Sequence, residues 1–313
     1  MVESRFIHDS REERGLRIGI LCRDKTLHGV RRISEAARRR KHRVRVLDPY
    51  RFLLKLGAGE ISLEFRGKPF AGADVYLPRL GANISEHSLA LIRHLEASGA
   101  LVVNGSRAIE TARDKLRTLQ LLAQNGLPVP KTSFAPDPAY LRAALEGVGG
   151  APVVMKLPRG TQGKGVMRAR DVVEAQAISE VMWNLQRDAI VQEYVEEARR
   201  GDLRVIVVGG EVAAAVRRRA SRDEFRTNLH RGGSMRIITP TRRVSELAVS
   251  AAKLCGLEIS GVDLLETKRG PLVLEVNAAP GFEGVERAGG PDVAPLIVDY
   301  VERRYREHKK KKG

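Results

Sequence analysis

The chain has 313 residues, 42% of them hydrophobic and 30% charged, which suits a globular protein too long for one core. No apolar run reaches the roughly 18–20 residues of a membrane span. Met1–Gly15 is polar and mixed in charge, so a secretory leader is not expected and these residues read as a loose tail. Cys22 and Cys255 lie in separate apolar segments with no zinc-like Cys/His spacing, the pattern of two buried thiols in a cytoplasmic protein.

The net charge of +17 favours acidic partners through long-range attraction. The positive residues are interleaved with aliphatics along the whole chain, and only 4% of residues are aromatic. A general basic surface is therefore expected, without a dedicated nucleic-acid motif. The short runs Arg38–Lys41, Arg217–Arg219 and Lys309–Lys312 read as solvated faces or tails.

Regular patterning begins at Arg17. Strands are expected at Arg17–Cys22, Arg43–Leu47, Asp74–Leu77 and Leu101–Val103, with helices at Leu27–Arg40 and Ser85–Ala97. This βαβ alternation predicts a small sheet covered by helices, and no glycine fingerprint follows the first strand. Asp114–Gln124 reads as a helix stopped by Asn125-Gly126. A strand at Pro152–Leu157, a glycine loop at Gly160–Gly165 and a helix at Val172–Asn184 capped by Asp171 come next. Short strands then dominate: Ala189–Val195, Leu203–Val208, Val212–Val216, Ile259–Leu265 and Pro271–Val276, with a helix at Arg242–Leu254. The expected class is α/β (α+β). Its parts are a tail at 1–16, an N-terminal α/β domain at 17–110, a middle subdomain at 111–190, a C-terminal subdomain at 191–304 and a basic tail at 305–313.

Four groups of residues carry chemistry, one of them the extended segment Gln192-Glu193-Tyr194-Val195 with Asp202 and Arg204 just beyond, which suits an adenine edge and ribose hydroxyls but says little by itself. Glu275 and Asn277 are two apart on one strand and share a face, and a hairpin turning about Arg269 sets Asp263 opposite Glu275. Two carboxylates and an amide oxygen suit Mg²⁺ on nucleotide phosphates. The alternative is a pair of unrelated surface acids, although both interrupt apolar strands where an unpaired charge is costly. The loop Gly160-Thr161-Gln162-Gly163-Lys164-Gly165 lets backbone N–H groups approach phosphates, with Lys156 just upstream, but it is not a Walker A loop. The Arg226-Thr227-Asn228-Leu229-His230-Arg231 segment suits neutralisation of a transferring phosphoryl group, or else an exposed basic loop or RNA contact.

Taken in order, these segments resemble the ATP-grasp superfamily and, within it, the RimK family of amino-acid ligases. The motifs are Asp114-Lys115-Leu116-Arg117, Val154-Met155-Lys156-Leu157, Gly160–Gly165, Gln192-Glu193-Tyr194, Arg226–Gly233, Gly261-Val262-Asp263 and Glu275–Gly281. Leu77-Pro78-Arg79-Leu80-Gly81 adds a match in the N-terminal, pre-ATP-grasp domain. The resemblance implies that Lys115, Lys156 and the loop glycines Gly160, Gly163 and Gly165 contact ATP phosphates. Gln192, Glu193, Tyr194 and Val195 would border the adenine and Asp202 the ribose. Arg226, Thr227 and Asn228 would line the transfer site, with Arg226 and Lys156 as the catalytic residues. Asp263, Glu275 and Asn277 would hold two Mg²⁺ or Mn²⁺ ions, and Arg79, Arg218, His230 and Arg231 would meet the acceptor. The glycine loop would close as a lid over an acylphosphate. Relatives of this kind add L-glutamate to the C-terminus of a small-subunit ribosomal protein or string glutamates together, and they suggest a homo-tetramer. Sister families act on coenzymes or a carrier protein, and a non-catalytic ribosome- or RNA-binding protein is the alternative of another class.

Overall fold

The computed structural model describes residues 15–81, 84–158, 165–219 and 234–312. The aliphatic segments Arg17–Leu21 (β1) and Arg43–Leu47 (β2) pair in parallel from Arg17 opposite Arg43 to Leu21 opposite Leu47. Between them His28–Arg39 (α1) buries Val30, Ile33, Ala36 and Ala37, the apolar stripe of an otherwise basic helix. Phe52–Gly57 (β3), Glu60–Phe65 (β4) and Lys68–Pro69 (β5) form an antiparallel meander in a stretch whose sequence predicts no element. Its core is aromatic, with the Phe52 ring 4.8 Å from Phe65 and 5.1 Å from Phe70. Val75–Pro78 (β6), Glu86–Ala97 (α2) and Leu101–Val102 (β7) complete a parallel sheet of order β2-β1-β6-β7.

Ser106–Arg113 (α3) and Lys115–Gln124 (α4) come next, where the sequence predicts a single helix from Asp114. Asp114 is extended, and its carboxylate accepts the Arg117 N–H at 3.0 Å, so it both ends α3 and caps α4. Thr132–Ala135 (β8), Leu141–Val148 (α5), Val153–Lys156 (β9), Val166–Ala169 (β10), Val172–Asn184 (α6) and Ala189–Glu193 (β11) build an antiparallel sheet of order β10-β9-β11-β8. Met155, Val153, Val191 and Leu145 lie at its buried face. The Asp171 carboxylate accepts the Glu174 N–H at 2.9 Å, the expected cap of α6.

Asp202–Val208 (β12), Glu211–Arg219 (β13), Ser234–Ile237 (β14), Arg242–Leu254 (α7), Ile259–Thr267 (β15), Gly270–Asn277 (β16) and Glu283–Arg287 (α8) continue the chain. The five strands pair antiparallel in the order β14-β13-β12-β15-β16. Val244, Leu247, Ala248 and Ala251 of α7 pack on Val205, Val207, Val262 and Val273 of that sheet. The last element is Val293–Lys310 (α9).

Three expectations need correction. Residues 305–310, expected as part of a basic tail, are helical, because the buried stripe Ile297, Val298 and Val301 anchors α9 and the polar end continues it. The border expected at 190 falls inside β11, which runs to Glu193 as a central strand of its sheet. Arg217–Arg219 is not a solvated run, since Arg218 is 6% exposed.

The chain divides into two units. One comprises residues up to Leu80, Ser85–Val103 and Ala294 onward, and so takes α9 back to the N-terminal sheet. In it Arg40 pairs with Asp299 and with Glu302 at 2.8 Å, and the His42 ring nitrogen meets Glu302 at 2.7 Å. The other comprises Gly81–Ile84 and Asn104–Val293. Among the described residues no helix is long and apolar enough to cross a membrane.

Candidate active site

The site lies within the second unit, and strand register assembles it. On β15 and β16, Asp263 faces Glu275 and Gly261 faces Asn277, as the alternation of the two strands predicts, with an irregularity in register just after Asp263. On its other side β15 pairs with β12, which sets Arg204 beside Asp263. One strand further, Arg218 of β13 stands opposite Asp202 of β12. Two charged pairs from neighbouring ladders thus meet at one buried spot.

The geometry there is tight. Arg204 donates Nε to Asp263 Oδ1 and Nη2 to Oδ2, both at 2.7 Å. Arg218 donates to Asp202 at 2.6 and 2.7 Å, and its Nη2 also lies 3.1 Å from Asp263 Oδ2. Burial alone would raise the Asp263 pKa, but the two guanidinium groups outweigh it and hold the carboxyl below the usual range. For Arg218, burial lowers and Asp263 with Asp202 raises, and the acids win. The Asn277 amide nitrogen turns toward Gly261 O at 3.3 Å and Asp263 Oδ2 at 3.4 Å, which leaves its oxygen as the lone-pair donor.

Glu275 is less enclosed, with a third of its side chain exposed and the Lys115 ammonium 3.7 Å away. Lys115 opens α4, and its N–H donates to Pro158 O at 3.0 Å. Lys156 ends β9 and donates to Gln192 Oε1 at 2.5 Å across the ladder to β11. Burial lowers its pKa to about 8, Glu275 opposes that shift, and Lys115 adds to it. Both lysines therefore act on Glu275, and the Lys156 ammonium is desolvated and only partly compensated by it. Such a pair of cations is poised for an anion. Among the described residues no group of three or more His, Cys, Asp or Glu side chains forms a metal-holding set. The donor set here is two carboxylates and one amide oxygen, hard ligands that fit a magnesium-like ion.

The remaining sequence candidates are placed as follows. Gln192 is buried and also donates to Thr132 Oγ1 at 2.9 Å. Glu193 accepts the Lys131 N–H at 2.9 Å and the Arg269 guanidinium at 3.0 Å through both oxygens. The Tyr194 ring lies 4.1 Å from the Arg168 guanidinium, a cation–π contact. Val195 is buried against Leu265 and Leu272. Both oxygens of Asp202, expected near a ribose, are held by Arg218. Gly165 has φ +71°, and a Cβ there would sit 2.5 Å from Leu157 Cδ1, so glycine is required where the loop rejoins β10. Arg79 belongs to the first unit, and burial lowers its pKa to about 10. Gly160, Gly163, Arg226, Thr227, Asn228, His230 and Arg231 lie outside the described residues.

Two contributors emerge only from the structure. Arg204 has no role by sequence, and the β12–β15 register reveals it as the clamp on Asp263. Asn104 is buried and fully used: it donates to Ile259 O at 2.7 Å and Ala278 O at 2.8 Å, and accepts from the N–H groups of Glu258 and Ile259 at 2.7 and 2.9 Å. It ties the start of β15 to the end of β16, beside Asn277. An asparagine directly after an apolar strand is its only sequence signal.

A four-stranded and a five-stranded antiparallel sheet that share lysines, carboxylates and an amide in this way define the ATP-grasp architecture, that of ATP-dependent ligases. The RimK-like ATP-grasp domain description fits residues 112–301, and the RimK pre-ATP-grasp domain description fits residues 16–109. The chain belongs to the RimK-like family. A probable alpha-L-glutamate ligase of Thioalkalivibrio sulfidiphilus is 45% identical over 294 residues, covering 94% of this chain and 98% of that protein. Another, of Vibrio cholerae, is 42% identical over 92% of this chain and 96% of its own length. Among solved structures, a RimK domain ATP-grasp protein of Sphaerobacter thermophilus superposes with a TM-score of 0.69 at 25% identity, covering 91% of this chain and 99% of that one. A D-alanine–D-alanine ligase of Bacillus anthracis, solved with ATP, shares the fold at 16% identity and a TM-score of 0.62, covering 95% and 100%.

Proposed function

We propose that this ATP-dependent ligase joins L-glutamate to a carboxylate acceptor, the C-terminus of a small-subunit ribosomal protein, and extends glutamate chains in the cytoplasm. The observation that carries the reading is the convergence of Lys115 and Lys156 on Glu275, the cross-strand partner of Asp263. The similarity to probable alpha-L-glutamate ligases, over nearly the whole length of both chains, supports the choice of amino acid. The basic surface suits glutamate-rich acceptors.

In this reading Lys115 and Lys156 hold the nucleotide phosphates. Gln192, Glu193, Tyr194 and Val195 border the adenine and Asp202 the ribose, and Arg218 must release one of its contacts for that role. Asp263, Glu275 and Asn277 hold Mg²⁺ or Mn²⁺, which when bound neutralises charge on the phosphates. Arg226, Thr227 and Asn228 line the transfer site, while Arg79, Arg218, His230 and Arg231 orient the acceptor. The acceptor carboxylate attacks the γ-phosphorus and ADP departs, giving an acylphosphate. The glutamate amine then attacks the acyl carbon, loses a proton and expels phosphate. No side chain forms a covalent bond, so the protein's work is positioning and charge compensation.

The test is incubation with ATP, Mg²⁺ and glutamate, with and without the ribosomal acceptor, read by mass spectrometry. A ladder of glutamyl additions on the acceptor is expected. Free glutamate oligomers beside an unmodified acceptor would keep the chemistry and reject the acceptor. Absence of both, with ADP release on another amino acid, would reject glutamate.

A further inference from the structure

The first unit holds most of the molecule's charge. Residues 15–80, 85–103 and 294–312 hold 24 Lys and Arg against 11 Asp and Glu, an excess of +13 within a chain total of +17. Residues 81–84 and 104–293, nearly twice as long, hold 28 against 23. The imbalance is therefore local, not the even scatter that the sequence suggests.

Within this unit the excess gathers at one corner. The Arg40 ion pairs with Asp299 and Glu302 set the C-terminal end of α1 beside the middle of α9. Arg38, Arg39 and Lys41 at the end of α1, and Arg43 at the start of β2, are exposed and have no carboxylate partner among the described residues. On α9, Arg303, Arg306 and Lys310 are exposed at i, i+3 and i+7, a single stripe about 10 Å long. The acids at this junction, Asp299 and Glu302, are already held by Arg40 and His42.

What this corner lacks identifies its partner. None of the exposed large hydrophobic residues lies on the C-terminal half of α1, on β2 or on α9 beyond Leu296. Protein interfaces need such anchors, whereas phosphate backbones need charge alone. The two aromatic rings nearby are covered, Tyr300 by Arg303 at 5.1 Å and Tyr305 by Lys309 at 5.8 Å, so they offer no platform for stacking bases. We propose that the corner formed by the end of α1, the start of β2 and the exposed stripe of α9 docks on the phosphate backbone of a nucleic-acid duplex, without reading its sequence. The proposal does not depend on which acceptor the ligase modifies.

The test uses the full chain and fluorescence anisotropy with labelled RNA and DNA duplexes of about 20 base pairs between about 50 and 200 mM salt. The corner variant is Arg38→Gln, Arg39→Gln, Arg306→Gln and Lys310→Gln. A matched variant removes four exposed charges from the second unit: Arg142→Gln, Arg187→Gln, Arg243→Gln and Lys253→Gln. Both duplexes are expected to bind with similar affinity. The corner variant should weaken binding about tenfold or more and flatten the log–log salt slope by about 3, with the matched variant within about twofold of the parent. Unchanged thermal unfolding and ligase turnover in the corner variant would show that only docking is lost. No duplex binding at the lowest salt, or equal loss in both variants, would overturn the proposal. So would a loss of polyglutamate-peptide or phosphatidylglycerol-vesicle binding in the corner variant as large as its loss of duplex binding, since either makes the corner a general anion binder.

Discussion

Arg204 holds Asp263 by both oxygens at 2.7 Å, and the two residues are cross-strand partners on β12 and β15. The carboxylate proposed to hold a metal is thus also the counter-charge for two arginines in a buried sheet. Glu275, which faces it, is held less closely, with the Lys115 ammonium 3.7 Å away and a third of its side chain exposed.

That difference separates two substitutions that would look alike in an activity assay. Asp263→Asn leaves the guanidinium groups of Arg204 and Arg218 short of a charge and should cost about 2–4 kcal/mol, visible as a lower melting temperature. Glu275→Gln should leave melting within about 0.5 kcal/mol of the parent. Both should abolish ATP turnover, so thermal unfolding measured beside turnover distinguishes them. Equal melting of the two variants would show that the Arg204 clamp contributes nothing to stability.

Lys156 gives a pH signature. Its ammonium ionises at about 8 in the fold and near 10.5 when unfolded. Between these values the unfolded chain binds more protons, so this group makes stability rise as pH climbs from about 8 toward 10.5. Nucleotide binding should run the other way, because a phosphate needs the protonated form. The dissociation constant for ADP should increase several-fold between pH 7 and pH 9 in the parent. In Lys156→Met it should be weak and flat across that range, as calorimetric titration at each pH can check.

Asn104→Ala tests the amide that joins the ends of β15 and β16. The substitution leaves the N–H groups of Glu258 and Ile259 and the carbonyls of Ile259 and Ala278 without their partner. A loss of about 2–3 kcal/mol is expected in denaturant unfolding. Because Asn277 directly precedes Ala278, metal-dependent nucleotide binding should weaken as well.

The thiols should be inert in the native protein. Cys22 and Cys255 are both buried, and burial raises the Cys255 pKa to about 11. A disulfide exchange reagent at neutral pH should titrate neither within minutes and both after denaturant is added.

Legibility in the sequence tracks the range of the interaction. The helices Val172–Asn184 and Arg242–Leu254 and the strand Arg43–Leu47 have the bounds expected, because period and caps are local signals. The Asp263–Glu275 pairing is legible because a short hairpin fixes its own register. The meander β3–β5 is hidden because Leu53, Leu56 and Ile61 are exposed and the strands lack the alternation of a half-buried sheet. α3 is masked by Asp114, which resembles the start of one helix and is also the end of another. The Arg204 clamp and the Asn104 tie join residues 59 and 155 positions apart, and no local pattern encodes them.

The first unit is discontinuous: its sheet is made from residues before 104, while α9, which holds Arg40 and His42 through Glu302, follows the whole of the second unit from Ala294 onward. During synthesis the second unit therefore leaves the ribosome whole before the first can be finished. The usual order, in which the N-terminal body folds first and shelters its successor, is reversed here. Until α9 arrives, Arg40 and His42 wait without the carboxylates that hold them, and premature termination within α9 would leave the second unit, with its cluster of Lys115, Lys156, Asp263 and Glu275, attached to an unfinished neighbour.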